Sequence, residues 1–177
     1  YSLVEEKEPW LNGAVNVADV AVLSAEAVTG NRDSLADTGA NRMLLETKRL
    51  YNFIDTKADF SAYKILILPD IAIENSDIIE KIKEYVKNGG KVIATGEALT
   101  QNGEFFLDAG AEYIGKNEFE PTYFIPEFRT VNGKTEYVMR CKSFNFKLTD
   151  GEAFAYGQNP YFNRTLEHFC SHAHAPN

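Results

Sequence analysis

The chain has 177 residues, of which 44% are hydrophobic, and carries a net charge of −8 from 26 acidic and 18 basic residues. A chain of this length buries about 70% of the surface that it exposes when unfolded, enough for one sizeable core. The negative charge repels phosphate backbones and anionic lipid, which argues against nucleic acid and membranes as partners. No apolar run in the sequence approaches the roughly 20 residues of a membrane-spanning helix.

Apolar segments of strand length and helix length alternate through the first two thirds of the chain. Short apolar runs predict three buried strands, at residues 19–24, 63–68 and 91–95. Helical spacing of apolar residues predicts helices over residues 40–56, 76–88 and 105–110, and residues 30–39 are typical of a loop. Such alternation indicates parallel strands joined by crossover helices. We therefore predict an α/β fold with a doubly wound, mostly parallel, flavodoxin-like sheet and helices on both faces.

The two ends of the chain differ from this pattern. Near the start, Pro9 and Gly13 bracket a predicted turn, and Trp10 is expected to pack onto the domain. Residues 119–161 are rich in aromatic side chains, and Asn132-Gly133 between extended runs predicts a β-hairpin. With no repeat or linker in the sequence, we predict a single domain over residues 1–177.

In a sheet of this type, ligands bind beyond the carboxyl ends of the strands. The loops after the second and third predicted strands supply a candidate pocket there, made of Asp70, Glu74, Thr95, Gly96 and Glu97. A hydrolase or amidotransferase built this way places a serine or cysteine in the strand-to-helix turn. Here that turn is Thr95-Gly96-Glu97, which holds no thiol, and Thr95 precedes the glycine. We therefore predict no catalytic residue at this position.

Motifs for cofactors are missing from the sequence, because neither GxGxxG nor GxxxxGK[ST] occurs, and we predict no cofactor. All three histidines fall in residues 168–174, where a strand would place four potential zinc ligands on one face: His168, Cys170, His172 and His174. The plainer interpretation is a chain end whose polar groups form local hydrogen bonds, and we assign no metal site. Asn163-Arg164-Thr165 matches a glycosylation sequon, a triplet that also arises by chance.

Several ordered motifs resemble one known family. Residues 8–11 (EPWL), 66–70 (LILPD), 86–97 (VKNGGKVIATGE), 103–107 (GEFFL) and 161–172 (YFNRTLEHFCSH) look like the β-galactosidase trimerisation-type domain of glycoside hydrolases, some of them similar to α-fucosidases and β-galactosidases. The resemblance covers most of the chain. It implies a class I glutamine amidotransferase-like fold without the amidotransferase cysteine.

The resemblance also implies an accessory role beside a catalytic barrel or between identical subunits. The glycosidase carboxylates of that family lie in the barrel, so none is carried over to this chain. We therefore expect a non-catalytic structural or oligomerisation domain from a longer glycoside hydrolase, with the compartment left open. The start at Tyr1 is consistent with a fragment of such a protein.

Two other functions stay open at this point. The chain could be a small hydrolase or amidotransferase-like enzyme that uses Cys141 or Cys170 with a histidine. Alternatively, it could be a sugar-binding module in which aromatic side chains form stacking platforms; the candidates are Tyr123, Phe124, Tyr156 and Tyr161.

Overall fold

The computed structural model describes residues 1–128 and 136–160, and the chain divides into two compact units. The first unit covers Tyr1–Ala98 and the second begins at Leu99. Within the described residues, no helix combines the length and the apolar character that crossing a bilayer requires. The single domain over residues 1–177 stays a prediction.

A four-stranded parallel sheet forms the centre of the first unit. Its strands are β1 (Val20–Leu23), β2 (Tyr51–Ile54), β3 (Ile65–Leu68) and β4 (Lys91–Ala94). They lie in the order β2-β1-β3-β4, which is the beginning of the flavodoxin-like order. The helices of this unit are α1 (Ser2–Leu11), α2 (Ala25–Thr29), α3 (Leu35–Glu46) and α4 (Ser76–Lys87), with a 3₁₀ turn at Phe60–Ala62.

Apolar side chains cover both faces of this sheet. Val22 packs against Ala40 and Leu44 of α3 on one face. Because side chains alternate along a strand, Leu66 and Leu68 point to the other face, where both are fully buried. The predicted α/β class with a doubly wound parallel sheet is confirmed.

Helix α4 shows how local sequence and packing agree. The Oδ1 atom of Asn75 accepts hydrogen bonds from the backbone N–H groups of Asp77 at 2.9 Å and Ile78 at 3.3 Å, which caps the start of the helix. Its buried side chains recur at helical spacing: Ile78, Ile79, Ile82 and Tyr85. Gly89, with a φ of +92°, takes the left-handed conformation at the predicted end.

The predicted helix over residues 40–56 was wrong at both ends. Helix α3 begins at Leu35, inside the predicted loop, because the Ser34 hydroxyl caps it by accepting from the Asp37 N–H at 3.3 Å. The helix ends at Glu46, and Lys48 adopts a positive φ of +56°. Residues 51–54 then form strand β2 beside β1. Pairing with β1 overrides the helical spacing of these residues, two of which are aromatic.

Two expectations for the N-terminal segment were also wrong. Helix α1 runs through Pro9 and ends at Leu11, so the turn begins only at Asn12. Within the described residues, α1 has no buried side chain, and Trp10 is 87% exposed rather than packed onto the domain. Local helix-forming residues thus produce a helix whose apolar side chains remain at the surface.

The second unit consists of short antiparallel strands. They are β5 (Thr100–Gln101), β6 (Glu104–Phe105), β7 (Ala111–Lys116), β8 (Thr122–Pro126), β9 (Tyr137–Met139), β10 (Phe144–Leu148) and β11 (Ala155–Gln158). Strands β5 and β6 form a hairpin, β7 pairs with β10, and β8 lies between β9 and β11. The predicted turn at residues 131–134 lies outside the described residues, although the flanking strands β8 and β9 are antiparallel as a hairpin requires.

The short helix predicted over residues 105–110 was wrong. Phe105 belongs to strand β6, and residues 106–110 are bends and irregular chain. Asn102 and Gly103, with φ of +52° and +84°, turn the chain into the β5–β6 hairpin. The Phe105 ring then stacks on Phe146 with 5.8 Å between ring centres. Contact of the partly buried Phe105 ring with this aromatic cluster favours the strand over the helix.

Candidate functional site

The carboxyl ends of β1, β3 and β4 meet at one edge of the parallel sheet, which we call the strand-end edge. The strand order reverses direction at β1, since β2 lies on one side of it and β3 on the other. Flavodoxin-like proteins bind ligands at this reversal, where backbone amides after the strands are available to an anion or a substrate. The loops after β1, β3 and β4 are therefore the places to look for a site.

In the loop after β1, the carboxylate of Asp37 accepts the hydrogen bonds that these donors could give to a ligand. Asp37 accepts a hydrogen bond from the Ser24 hydroxyl at 2.9 Å. It also accepts from the backbone N–H groups of Ala25 at 2.8 Å and Glu26 at 3.2 Å. Because an anionic ligand would compete with this carboxylate for the same donors, the arrangement disfavours phosphate binding.

Sequence reasoning missed Asp37, because it fell in the predicted loop of residues 30–39. The Ser34-x-x-Asp37 spacing is the signature of a capping box and could have identified both the helix start and this carboxylate. What the spacing does not indicate is that the Asp37 side chain reaches back to the loop after β1.

A second carboxylate occupies the turn after β4. The Asp70 carboxylate accepts from the Glu97 N–H at 3.1 Å. Gly96 has a φ of +56°, and a Cβ atom placed there would lie only 1.7 Å from Asp70 Oδ1. A nucleophile in this turn would need that space for its side chain. Asp70 therefore fills the space that a side chain at residue 96 would need.

The turn after β4 also lacks the helix that follows a nucleophile elbow. Residues 96–99 form a turn, and the next element is the short strand that begins at Thr100. A helix start at this point would supply backbone N–H groups to a developing oxyanion. In this chain the Glu97 N–H is instead bonded to Asp70.

The structure brings together three residues of the predicted pocket: Asp70, Gly96 and Glu97. Thr95 directly precedes them, and its N–H donates to the carbonyl of Leu68 at 3.1 Å. Glu74 is exposed, and no hydrogen bond or ion pair links it to another described residue. The predicted pocket is thus a turn held by a hydrogen bond between Asp70 and the Glu97 N–H. Asp70 and Glu74 do not form a pair of carboxylates that face an open cavity.

The groups with shifted pKa values lie outside this edge. Burial raises the pKa of Tyr85, whose hydroxyl lies 3.2 Å from the Tyr63 carbonyl oxygen at the amino end of the sheet. The hydroxyl and the backbone N–H of Ser61 bond to Asp59 and lower its pKa. Both shifts accompany structural hydrogen bonds, and neither group faces the strand-end edge.

The predicted histidine and cysteine cluster lies outside the described residues, as does the sequon at residues 163–165. His168, Cys170, His172 and His174 therefore stay a prediction. Across residues 1–128 and 136–160, no three histidine, cysteine, aspartate or glutamate side chains are arranged to hold a metal ion. Cys141 is exposed, and the histidine that the cysteine-enzyme hypothesis requires falls beyond the described range.

The predicted stacking aromatics separate onto different faces of the second unit. Tyr123 and Tyr156 share one face of the β9-β8-β11 sheet. Tyr156 pairs with Ile125 of β8, and Ile125 is two positions from Tyr123, so the three side chains point to the same side. Phe124 points to the opposite face and stacks on Tyr137 at 5.1 Å. Tyr161 lies outside the described residues. Only two of the four candidates are therefore seen on a common face.

Comparison with known proteins gives consistent matches. Residues 42–105 match the family model described as "Beta-galactosidase trimerisation domain". α-L-Fucosidase isoenzyme 2 from Paenibacillus thiaminolyticus is 40% identical, with a TM-score of 0.91 over 99% of this chain and 28% of that one. Gan42B, a GH42 β-galactosidase from G. stearothermophilus, is 19% identical, with a TM-score of 0.65 over 90% of this chain and 26% of that one.

A glutamine amidotransferase from Thermotoga maritima also matches, at 13% identity and a TM-score of 0.41, over 77% of this chain and 70% of that one. No curated protein sequence matches the chain.

The sheet order and the two bonded carboxylates define a doubly wound α/β domain whose ligand edge is occupied by its own side chains. More particularly, the chain is a domain homologous to the trimerisation domain of GH42 β-galactosidase and fucosidase glycoside hydrolases. The resemblance inferred from the sequence motifs is confirmed. The chain spans 28% of the length of the fucosidase and 26% of that of Gan42B.

Proposed function

We propose that this chain is a non-catalytic accessory domain of a longer glycoside hydrolase, in which it supports self-association of the enzyme. Packing against the catalytic barrel of the same protein is a second part of this role. The observation that carries the proposal is the Asp70 carboxylate in the turn after β4, where it takes both the backbone donor and the side-chain space of a nucleophile. The homology to a trimerisation domain supports self-association, rather than catalysis, as the role of this domain.

Exposed apolar side chains on the first unit support a contact role. Helix α1 presents Leu3, Val4, Trp10 and Leu11, each between 62% and 87% exposed. Tryptophan is among the residues that contribute most to protein interfaces, since it buries a large rigid surface. A helix with this composition is therefore a reasonable contact surface for another subunit or for the barrel.

Self-association can be measured on the chain itself by sedimentation velocity across a wide range of concentrations. We expect a reversible oligomer whose dissociation constant rises at least about tenfold in Trp10→Asp. Leu35→Asp is the matched control, because Leu35 is 86% exposed and lies outside α1. A chain that stays monomeric at every concentration would contradict self-association.

The non-catalytic part of the proposal has a separate test. The purified chain is assayed with aryl β-galactosides and aryl α-L-fucosides, and we expect no turnover above the buffer blank. Enzyme-like turnover that persists through repeated purification and is abolished by Asp70→Ala would contradict the proposal. The same assay with glutamine as substrate tests the amidotransferase-like alternative.

A further inference from the structure

One face of the β9-β8-β11 sheet carries partly exposed aromatic and apolar side chains. Tyr123 lies opposite Val138 of β9, and Tyr156 lies opposite Ile125 of β8. Because side chains alternate along a strand, all four point to the same side. Val138 and Tyr156 are each 51% exposed, and Tyr123 is half-buried. We call these four residues the tyrosine face.

The tyrosine face continues into a cleft of about 430 Å³ at one end of the sheet. The cleft is lined by Glu120, Pro121, Tyr123, Val138 and Arg140. Arg140 is exposed and lines the same cleft as Tyr123, and its guanidinium group has several hydrogen-bond donors. An aromatic wall with charged and polar groups at its rim is typical of small-ligand sites.

We propose that the tyrosine face and this cleft bind a neutral oligosaccharide. A sugar ring has an apolar face of C–H groups that can pack on a tyrosine ring, and hydroxyl groups at its rim that can accept from Arg140. The net charge of −8 disfavours an anionic glycan. The choice of sugar probes rests on the proposed function, since the relatives of this domain are enzymes named for galactosides and fucosides.

The size of the face favours a small ligand over a second copy of the chain. The strands are three to five residues long, and at about 3.3 Å per residue and 4.8 Å between strands the face covers on the order of 200 Å². A stable protein interface needs about 800 Å² on each partner. The face therefore has room for two or three sugar rings and too little area to hold a dimer by itself.

The test measures sugar binding to the full chain by saturation-transfer difference NMR and titration, with β-1,4-galactotetraose and methyl α-L-fucoside as probes. We expect binding by the unmodified chain and dissociation constants raised about tenfold in Tyr123→Ala and in Tyr156→Ala. Tyr123→Phe keeps the ring and is expected to bind as the unmodified chain does. Phe53→Ala is the matched control, because Phe53 is a partly exposed aromatic, 40% exposed, on the first unit.

Circular dichroism of each variant establishes that the fold is retained. The proposal is overturned if neither probe binds to the unmodified chain. It is also overturned if Tyr123→Ala and Tyr156→Ala bind the probes as tightly as the unmodified chain does. It is overturned as well if Tyr156→Ala changes the oligomeric state and no sugar binds, because the occupant is then a second copy. Self-association is measured separately, by sedimentation velocity of Trp10→Asp, so a failure to bind sugar and a failure to self-associate are distinguishable.

Discussion

Replacing Gly96 with alanine tests whether Asp70 occupies the space of an elbow side chain. Alanine in the left-handed region costs about 1–2 kcal/mol. The added Cβ would lie 1.7 Å from Asp70 Oδ1, so the carboxylate must move away. Its hydrogen bond with the Glu97 N–H is then lost, at a cost of about 1 kcal/mol for an exposed bond. We expect Gly96→Ala to lower the free energy of unfolding by about 2–3 kcal/mol in total.

Urea denaturation followed by circular dichroism measures this change, and two controls isolate its parts. Gly89 also has a positive φ, of +92°, but a Cβ there has no neighbour within 4 Å, so Gly89→Ala should cost only the backbone part of about 1–2 kcal/mol. In an Asp70→Ala background, Gly96→Ala should likewise cost only about 1–2 kcal/mol. The double-mutant cycle should thus give a coupling energy of about 1 kcal/mol between the two sites. The reasoning is refuted if Gly96→Ala costs the same with and without Asp70.

Three further changes test other parts of the structure. Thr122 is 1% exposed, and its hydroxyl has no hydrogen-bond partner among the described residues. Thr122→Val should therefore raise the free energy of unfolding, measured by urea denaturation, by about 1 kcal/mol. A lower free energy of unfolding in the variant would show that the hydroxyl is hydrogen-bonded. Because the pKa of Asp59 is lowered in the folded chain, its carboxylate contributes stability that is present above pH 3.8 and is lost as the pH falls through the lower pKa of the folded state. The stability difference between the unmodified chain and Asp59→Asn, measured by urea denaturation, should therefore shrink on acidification. The raised pKa of Tyr85 means that stability falls as the pH rises above 10.0, and Tyr85→Phe should weaken this alkaline loss in thermal melts; an unchanged alkaline profile would contradict the assignment.

Where local pattern and tertiary packing agree, the sequence predicted the fold correctly. The apolar run at residues 65–68 is a strand because its buried side chains fit the centre of a parallel sheet. Helix α4 has both a regular apolar face and a clear end at Gly89. The ordered motifs, among them residues 86–97, indicated the family whose model matches residues 42–105.

The missed elements are those in which distant residues decide the structure. Residues 51–54 continue a helical spacing, yet they form β2 because β1 offers them a hydrogen-bonding edge. Phe105 lies in a strand because Phe146, far away in the sequence, stacks on it. In both cases the competing helix would have satisfied its backbone locally but left an aromatic side chain without its packing partner.

The candidate site divides in the same way. The glycine at residue 96 and the missing thiol were visible in the sequence, because they depend only on residue identity. That the Asp70 carboxylate lies where a Cβ of residue 96 would be, and that Asp37 bonds to the loop after β1, depends on how separate strands and helices meet in space. Residue types alone therefore determined that the turn at residues 95–97 holds no thiol, whereas the tertiary structure decided which side chain lies against Gly96, because hydrogen bonds between loops form only once the sheet has brought the loops together.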